Sequence, residues 1–293
     1  MVNVDGITGD FLIAPGGYNM WNAHITGNQI QVSAIRSLTK LCVVSILGRE
    51  SRPRTILRGL AAGYTICISP AENLACSVGS AEPHLQRAIR KYVAAGDTVY
   101  DVGANMGYFS LALAKQVGPA GRVIAFEPVP QNLELLRTNI NNNHLQNVQV
   151  FDSAASDRNG EATIRIADSM ATGSLIWHKS DAGAIQFQIR TVAIDDLVDA
   201  GRIPKPSFIK VDVEGAEGLA LSGMRRTVAV AKPVLFIETS ETGRETTWSV
   251  LRELGYRCQE ANTRKWVERF EEYRHSDFLW LPPARAQGNG TSV

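Results

Sequence analysis

Acidic and small residues follow an apolar run at a spacing that could hold a ligand. The stretch "TVYDVGANMGYF" (98–109) places Asp101, Gly103, Asn105 and Gly107 at alternate positions. Glycines let a ligand approach the backbone closely, and a helix that starts here offers free N–H groups. Because Asp101 would repel a diphosphate, the turn suits a ligand that carries a positive charge. We therefore expect the turn to hold a polar, cationic ligand.

A second carboxylate, Glu127, ends the apolar run "VIAFEP". It lies about 20 residues after the turn, where an acid can accept hydrogen bonds from both hydroxyls of a ribose. This residue alone does not separate NAD from S-adenosylmethionine. The turn favours S-adenosylmethionine, because a dinucleotide site is expected to show GxGxxG and because the methionine end of S-adenosylmethionine carries a cationic amine.

The run "FIKVDVEGAE" carries four charged residues close together. Strand alternation puts Lys210 and Asp212 on one side, which predicts an ion pair. We predict a catalytic role for Asp212 and Glu214, which would orient and deprotonate an acceptor hydroxyl, with Lys210 beside them. One alternative is that the acids hold a divalent metal; it is not favoured, and no metal ligand is assigned. The other is purely structural, with Glu217 stabilising a helix N-terminus.

Further polar residues are weaker candidates. Glu82 and His84 precede a predicted helix and could reach over the cofactor, and we assign Glu82 to cofactor binding. Glu238 ends "VLFIET" and would point toward the same cleft. His178 follows Trp177 in an insertion that could form a wall for the acceptor.

Alternating runs of strand and helix character position these residues. The predicted helices are "PHLQRAIRKYV", "MGYFSLALAKQV", "NLELLRTNINNN", "AEGLALSGMRRTV" and "TTWSVLRELG". The predicted strands are "TVYDVG", "RVIAFEP", "VQVFDSAAS", "ATIRIA", "IQFQIRTVAI", "SFIKVDVEG", "PVLFIETS" and "DFLWLP". This order predicts a doubly wound, Rossmann-like α/β fold with its ligand at the carboxyl ends of the strands.

The pattern divides the chain near residue 80. Residues 1–80 are predicted to be an accessory or lid region, in which 33–48 could be a helix and "YTICIS" alternates like a strand. Residues 81–283 form the predicted catalytic domain. The Pro- and Gly-containing residues 284–293 are predicted to be a disordered tail.

Composition limits the classes of function. The 293 residues are 44% hydrophobic with a net charge of +1, so no global field concentrates a nucleic acid on the surface. No apolar run is long enough for a membrane helix, and the acidic N-terminus is unlike a signal peptide. Four scattered cysteines favour reduced thiols in a cytoplasmic protein.

Taken together, the motifs resemble the FkbM family of S-adenosylmethionine-dependent methyltransferases, part of the Rossmann-like class I group. The resemblance runs from "GSAEPHL" to "GYRCQ" and includes, in order, the first two motifs, "AASDRNG", "TVAIDDLV", "FIKVDVEGAE" and "KPVLFIET". It implies methyl transfer, most often to an oxygen of a small molecule, sugar or lipid-linked acceptor.

The resemblance also implies roles for individual residues. Those that would line the methionine end of the cofactor are Asp101, Gly103, Asn105 and Gly107. Glu127 would bind the ribose. Ser153 and Ala154 would contact the adenine, with Asp152 or Asp157 as alternatives.

We therefore expect an O-methyltransferase whose partner is a small hydroxyl-bearing acceptor. The alternatives are an RNA or protein methyltransferase, which would be expected to carry an "NPPY"-like motif or a basic surface, an inactive cofactor-binding partner subunit, and an NAD dehydrogenase. We expect no nucleic acid partner and no membrane insertion. Homo-oligomer formation stays open.

Overall fold

The computed structural model describes the chain in five segments. They are residues 51–69, 73–166, 173–174, 185–273 and 277–283. The helix predicted within 33–48, the predicted tail at 284–293, Cys42, Trp177 and His178 lie outside the described residues.

The described residues form these strands and helices. The strands are β1 (Arg52–Thr55), β2 (Thr65–Ile68), β3 (Thr98–Val102), β4 (Arg122–Phe126), β5 (Val148–Phe151), β6 (Ser153–Ala155), β7 (Gly160–Ile166), β8 (Gly173–Ser174), β9 (Ile185–Val192), β10 (Phe208–Val211), β11 (Val234–Glu238), β12 (Arg257–Glu260), β13 (Trp266–Val267) and β14 (Asp277–Leu281). The helices are α1 (Leu74–Val78), α2 (Pro83–Tyr92), α3 (Tyr108–Val117), α4 (Pro130–Asn142), α5 (Ile194–Asp199), α6 (Glu217–Ser222), α7 (Arg225–Ala231) and α8 (Arg244–Glu253).

The main sheet has the strand order β13-β12-β14-β11-β10-β3-β4-β5. The five strands from β11 to β5 are parallel to their neighbours, and β14 runs antiparallel between β11 and β12. The strand order reverses between β3 and β10, because the chain builds outward from β3 in one direction and from β10 in the other. Ligands of such sheets bind at this reversal, beyond the carboxyl ends of the strands.

Helices cover both faces of this sheet. Alternate residues of each strand enter opposite cores. Val99 and Phe208 pack in a core with α2 and α3, whereas Tyr100 and Ile209 pack in a core with residues of α5 to α8. The predicted doubly wound, Rossmann-like class I fold is therefore confirmed.

Two predicted elements are divided in the structure. The run "VQVFDSAAS" forms β5 in the main sheet and β6 in a second sheet, whose order is β6-β9-β7-β8. The single helix predicted for "AEGLALSGMRRTV" is two helices, α6 and α7. They separate at Gly223, where the backbone turns so that its carbonyl accepts a hydrogen bond from the N–H of Asp195. A Cβ atom at Gly223 would lie 1.7 Å from the backbone carbonyl oxygen of Ser156.

The described part of the region before residue 80 packs on the domain. Strands β1 and β2 form an antiparallel hairpin, and Ile56, Ile66 and Ile68 are buried in the same core as Leu85 and Ile89 of α2. The strand predicted for "YTICIS" is therefore observed as β2. The functional division of the chain near residue 80 stays a prediction.

Two other expectations concern thiols and membranes. Cys67, Cys76 and Cys258 are free thiols. Among the described helices, none combines the length and the apolar character that crossing a bilayer requires.

The backbone of Gly103, after β3, packs closely against the backbone of Asp212, after β10, and this contact yields a stability prediction. Gly103 has φ +81°, and a Cβ there would lie 1.8 Å from the backbone oxygen of Asp212. Gly103→Ala should lower the free energy of unfolding by about 3 kcal/mol or more, from left-handed strain plus overlap. The control Gly96→Ala also has positive φ but meets open space, and should cost about 1–2 kcal/mol. If urea denaturation showed that both variants lose the same free energy of unfolding, the predicted overlap at Gly103 would be contradicted.

Candidate functional site

The turn after β3 has a backbone that its glycines make possible. Gly103 and Gly107 have φ values of +81° and +93°, and Asn105 also has positive φ, at +51°. The N–H groups of Gly103 and Ala104 both donate to the Phe126 carbonyl at 3.0 Å, which fixes the turn against the end of β4. The Asn105 Oδ1 accepts from the Met106 N–H at 2.7 Å, so the asparagine stabilises its own left-handed conformation.

Glu127 connects this turn to the end of β4. Its Oε2 accepts from the Asn105 N–H at 2.8 Å, and its Oε1 accepts from the Val129 N–H at 2.9 Å. Burial raises the pKa of the Glu127 carboxyl, and the two backbone donors act in the opposite direction. The structure thus brings the predicted ribose acid directly onto the turn that was predicted to bind the rest of the cofactor.

Lys210 is the buried cation at the centre of the site. Its Nζ lies 3.1 Å from Asp212 Oδ2 and 3.4 Å from Asp101 Oδ1, and donates to the Gly103 carbonyl at 2.9 Å. Burial acts to lower the pKa of the Lys210 ammonium, but the charges of Asp212 and Asp101 outweigh it and raise that pKa. The lysine therefore stays protonated, and the ion pair predicted with Asp212 is confirmed.

Asp101 lies behind the turn. Its side chain is fully buried, and Ser110 Oγ donates to its Oδ2 at 2.6 Å. Burial raises the pKa of this carboxyl, while Lys210 and Ser110 act to lower it. Its observed partners are protein groups. Contact of Asp101 with the methionine end of the cofactor stays a prediction, as do the cofactor contacts of the turn residues.

Three half-buried carboxylates gather where β10 and β11 end. One oxygen each from Glu82, Asp212 and Glu238 lie within 4.8 Å of one another. Asp277, the first residue of β14, pairs with Glu238 in the strand register. Glu214 follows Asp212 in the next turn and is exposed, with φ +44°. We refer to Glu82, Asp212 and Glu238 below as the acid cluster.

Two carboxyls of the acid cluster, Glu82 and Glu238, have raised pKa values. Burial raises the pKa of Glu82 to about 7, with further contributions from Asp212 and Asp277. Burial, together with Asp212 and Asp277, raises the pKa of Glu238 to about 8. Burial also raises the pKa of Glu214. Carboxyls in this range can accept a proton at physiological pH.

The acid cluster also has the donor atoms that a hard divalent cation takes, since Mg²⁺ and Ca²⁺ prefer carboxylate oxygens. The ammonium of Lys210 already lies 3.1 Å from Asp212 and supplies positive charge at that place. The alternative that these acids hold a divalent metal is therefore still not favoured.

The other candidate residues are placed as follows. Ser153 and Ala154 lie in β6 and are buried. Ala154 packs in an apolar cluster that includes Ile164, so its predicted adenine contact stays a prediction. Asp152 forms an ion pair with Arg190 on the surface. Asp157 is exposed and accepts a hydrogen bond from Ser156.

His84 and Glu217 have structural partners. His84 contacts the Arg87 guanidinium through its Nδ1. Glu217 is buried, accepts from the Gly215 N–H at 2.8 Å at the start of α6, and accepts from Ser240 Oγ at 3.1 Å. Glu217 thus lies in the first turn of α6 as predicted, but it bonds the backbone before the helix and makes no capping hydrogen bond to α6.

Sequence reasoning missed two polar residues of the site. Ser110 lies in the first turn of α3 among apolar residues, and only its hydrogen bond to Asp101 reveals it. Asp277 begins β14. Because β14 is antiparallel to β11, its first residue lies beside the last residue of β11, so strand direction was the signal that could have found it.

The glycine-containing turn after β3, the buried carboxylate of Glu127 and the acid cluster lie at the reversal of a doubly wound sheet, where such sheets bind their ligands. The family model described as "Methyltransferase FkbM domain" matches residues 101–258, more than half of the chain. The chain therefore belongs to the FkbM methyltransferase family.

Individual relatives match part of the chain. The hexuronic acid methyltransferase AglP of Haloferax volcanii is 33% identical over 129 residues, which are 44% of this chain and 50% of that protein. A protein-L-isoaspartate O-methyltransferase of Caenorhabditis elegans is 26% identical over 135 residues, 45% of this chain and 52% of that protein. The chain spans about half the length of these two curated relatives.

Among solved structures, the methyltransferase FkbM of Methylobacillus flagellatus KT is similar to this chain. It is 24% identical with a TM-score of 0.40, and the match covers 63% of this chain and 43% of that one.

The buried cation yields a second prediction. Lys210→Met should lower the free energy of unfolding by about 3–5 kcal/mol, because it leaves the Asp101 carboxylate buried without its cation. Adding Asp101→Asn to this variant should recover much of the loss, since the uncompensated charge is then gone. Urea denaturation of the two single variants and the double variant gives the coupling energy. Additive losses would show that the two side chains act independently.

Proposed function

We propose that this protein is an S-adenosylmethionine-dependent methyltransferase that transfers the methyl group to a hydroxyl oxygen of a small metabolite, with sugars as the favoured class. The observation that carries the proposal is the acid cluster beside Lys210, since its three carboxylate oxygens lie within 4.8 Å of one another at the cofactor edge of the sheet. Such a group can accept hydrogen bonds from the several hydroxyls of a polyol.

The turn and Glu127 would hold the cofactor. Glu127 is fixed by the Asn105 and Val129 N–H groups, so its carboxylate is already oriented before a ribose arrives. Gly103 and Gly107 let the turn pack closely against Asp212 and Leu136 with positive φ, where a Cβ atom at either position would overlap its neighbour. S-adenosylmethionine supplies an electrophilic methyl group on a positively charged sulfur when it is bound.

The acid cluster would handle the acceptor. Asp212 is held by Lys210 and so has a fixed position from which to orient an acceptor hydroxyl. A carboxylate of this chain would take the proton of the acceptor hydroxyl, while S-adenosylmethionine would supply the methyl group and leave as a neutral thioether. Asp212 and Glu214 are the bases predicted from the sequence, and Glu238 joins them because it lies in the acid cluster.

The relatives support an oxygen acceptor. AglP is described as a methyltransferase of hexuronic acid, and the nematode relative as an O-methyltransferase. From AglP we transfer only the class of acceptor, a sugar. The nematode relative is named for a protein substrate, so it supports oxygen as the methylated atom and not a small-molecule acceptor. The composition does not favour RNA as the acceptor, because the net charge of the full sequence is only +1.

The proposal is tested with labelled cofactor. Mass spectrometry of sugars, sugar acids and hydroxylated natural-product intermediates, incubated with the protein and methyl-labelled S-adenosylmethionine, should show one added methyl on an oxygen. Calorimetry should show binding of S-adenosylhomocysteine and none of NAD. Binding without turnover of any acceptor would favour the inactive partner subunit. Methylation of RNA or protein instead would contradict a small-molecule acceptor.

Variants of the acids should separate cofactor binding from methyl transfer. Asp212→Asn, Glu214→Gln and Glu238→Gln should reduce kcat, by about 100-fold where the removed group is the base. They should change the affinity for S-adenosylhomocysteine much less, whereas Glu127→Ala should weaken that affinity. The exposed Glu253→Gln serves as control and should change neither.

The pH dependence follows from the same groups. Carboxyls with a raised pKa are protonated, and so unable to act as bases, at low pH. The groups around Glu238 are Asp212, Asp277, Glu82 and Glu214, with Lys210 beside Asp212. Its pKa of about 8 predicts that kcat rises as the pH increases through about 8. Glu238→Gln should remove this rise. Full activity in all three acid variants would place the acceptor elsewhere.

A further inference from the structure

Asn139 of α4 connects two segments of backbone that are distant in sequence. Its side chain is fully buried. Its Oδ1 accepts from the Cys67 N–H in β2 at 2.6 Å. Its Nδ2 donates at 2.8 Å to the Met106 carbonyl in the turn after β3 (residues 103–107), to which we refer as the cofactor turn because the cofactor is proposed to bind there. One amide thus contacts the hairpin before residue 80 and the turn after β3.

Asn143, four residues later, makes the matching contact to β2 but none to the turn, and its Nδ2 also donates to the Asn139 carbonyl at 2.7 Å. Its Oδ1 accepts from the Thr65 N–H at 2.7 Å, and its Nδ2 donates to the Thr65 carbonyl at 2.6 Å. Two strand residues span about 6.6 Å and four helix residues about 6 Å, so a pair of asparagines at this spacing fits alternate N–H groups of a strand.

The other edge of β2 is occupied by β1. The register places Pro53 opposite Cys67 and Thr55 opposite Thr65. Proline has no N–H to donate, and Cys67 directs its own N–H to Asn139. The two asparagines therefore replace a neighbouring strand on the free edge of β2.

The contact with Met106 fixes the far side of the cofactor turn. The N–H groups of Gly103, Ala104 and Asn105 are held by Phe126 and Glu127 on the β4 side. On the side of α4, Asn139 holds the Met106 carbonyl, in the peptide that precedes Gly107 and the start of α3. The Met106–Gly107 peptide is thus held from both sides, because its N–H donates to the Ala104 carbonyl inside the turn and its carbonyl accepts from Asn139 outside it.

From these contacts we propose that Asn139 is a positioning residue of the cofactor turn, which couples the β1–β2 hairpin to the binding of S-adenosylmethionine. The inference rests on the proposed placement of the cofactor at this turn. Asn143 shares the hairpin contact and lacks the turn contact, so the two asparagines form a natural pair for comparison.

The test compares affinities for S-adenosylhomocysteine by calorimetry. Asn139→Ala loses both contacts, and Asn139→Asp keeps the acceptor for Cys67 while it loses the donor to Met106. Both should bind about tenfold more weakly than the wild-type protein. Asn143→Ala should lower Tm, because the hairpin loses an anchor, and should bind within twofold of wild type. Equal weakening in Asn143→Ala, or unchanged affinity in either Asn139 variant, would overturn the proposal.

A second measurement uses the unmodified chain and so does not depend on whether a variant folds. Residue-resolved amide hydrogen exchange should show that S-adenosylhomocysteine slows exchange at Cys67 more than at Thr65, because only the Cys67 N–H is bonded to the residue that holds the turn. Equal or unchanged rates at these two amides, in a protein that binds the nucleoside, would refute the coupling alone. Failure of the wild-type chain to bind it would overturn the proposed function as well.

Discussion

The site depends on one buried ammonium group. Lys210 lies between Asp101 at the end of β3 and Asp212 at the end of β10, and it also donates to the Gly103 carbonyl. Burial alone would deprotonate a lysine, and only the surrounding carboxylates keep it charged. The same charge allows two acids to lie at the reversal point of the sheet. The turn after β3 and the acid cluster are thus joined electrostatically through one side chain.

The position of this cation explains how the two halves of the site differ. Behind the turn, Asp101 is fully buried and is satisfied by Lys210 and Ser110. In front of it, Asp212 is partly exposed and shares its surroundings with Glu82 and Glu238. Lys210 and Ser110 lower the pKa of the Asp101 carboxyl, although burial still raises it overall. In the second group, burial and then the neighbouring acids raise the pKa of Glu82 and Glu238.

The sequence predicted the central architecture because each strand of the parallel sheet is an apolar run that ends in a polar or glycine-containing turn. Alternation along "FIKVDV" correctly paired Lys210 with Asp212, since that contact is local to one strand face. Contacts between distant segments were harder. The association of Glu82 with Glu238 depends on how α2 approaches β11, and no local pattern contains it. The bridge from Asn139 to Met106 was missed for the same reason, because asparagines on a helix are usually exposed. The division of "VQVFDSAAS" into two sheets depends on pairing with β9, a long-range partner.

The direction and place of β14 bear on how the protein is assembled during synthesis. Residues 277–281 insert between β11 and β12, although they follow all the other described strands of the sheet in the chain. Until these residues leave the ribosome, β11 has an open edge, and β12 has no partner on the edge that faces β11. The parallel half that carries the cofactor turn can form earlier, because its strands are all made by residue 238. The strand surroundings of Glu238 are therefore complete only when Asp277 pairs with it, after the strands that carry the turn have been made.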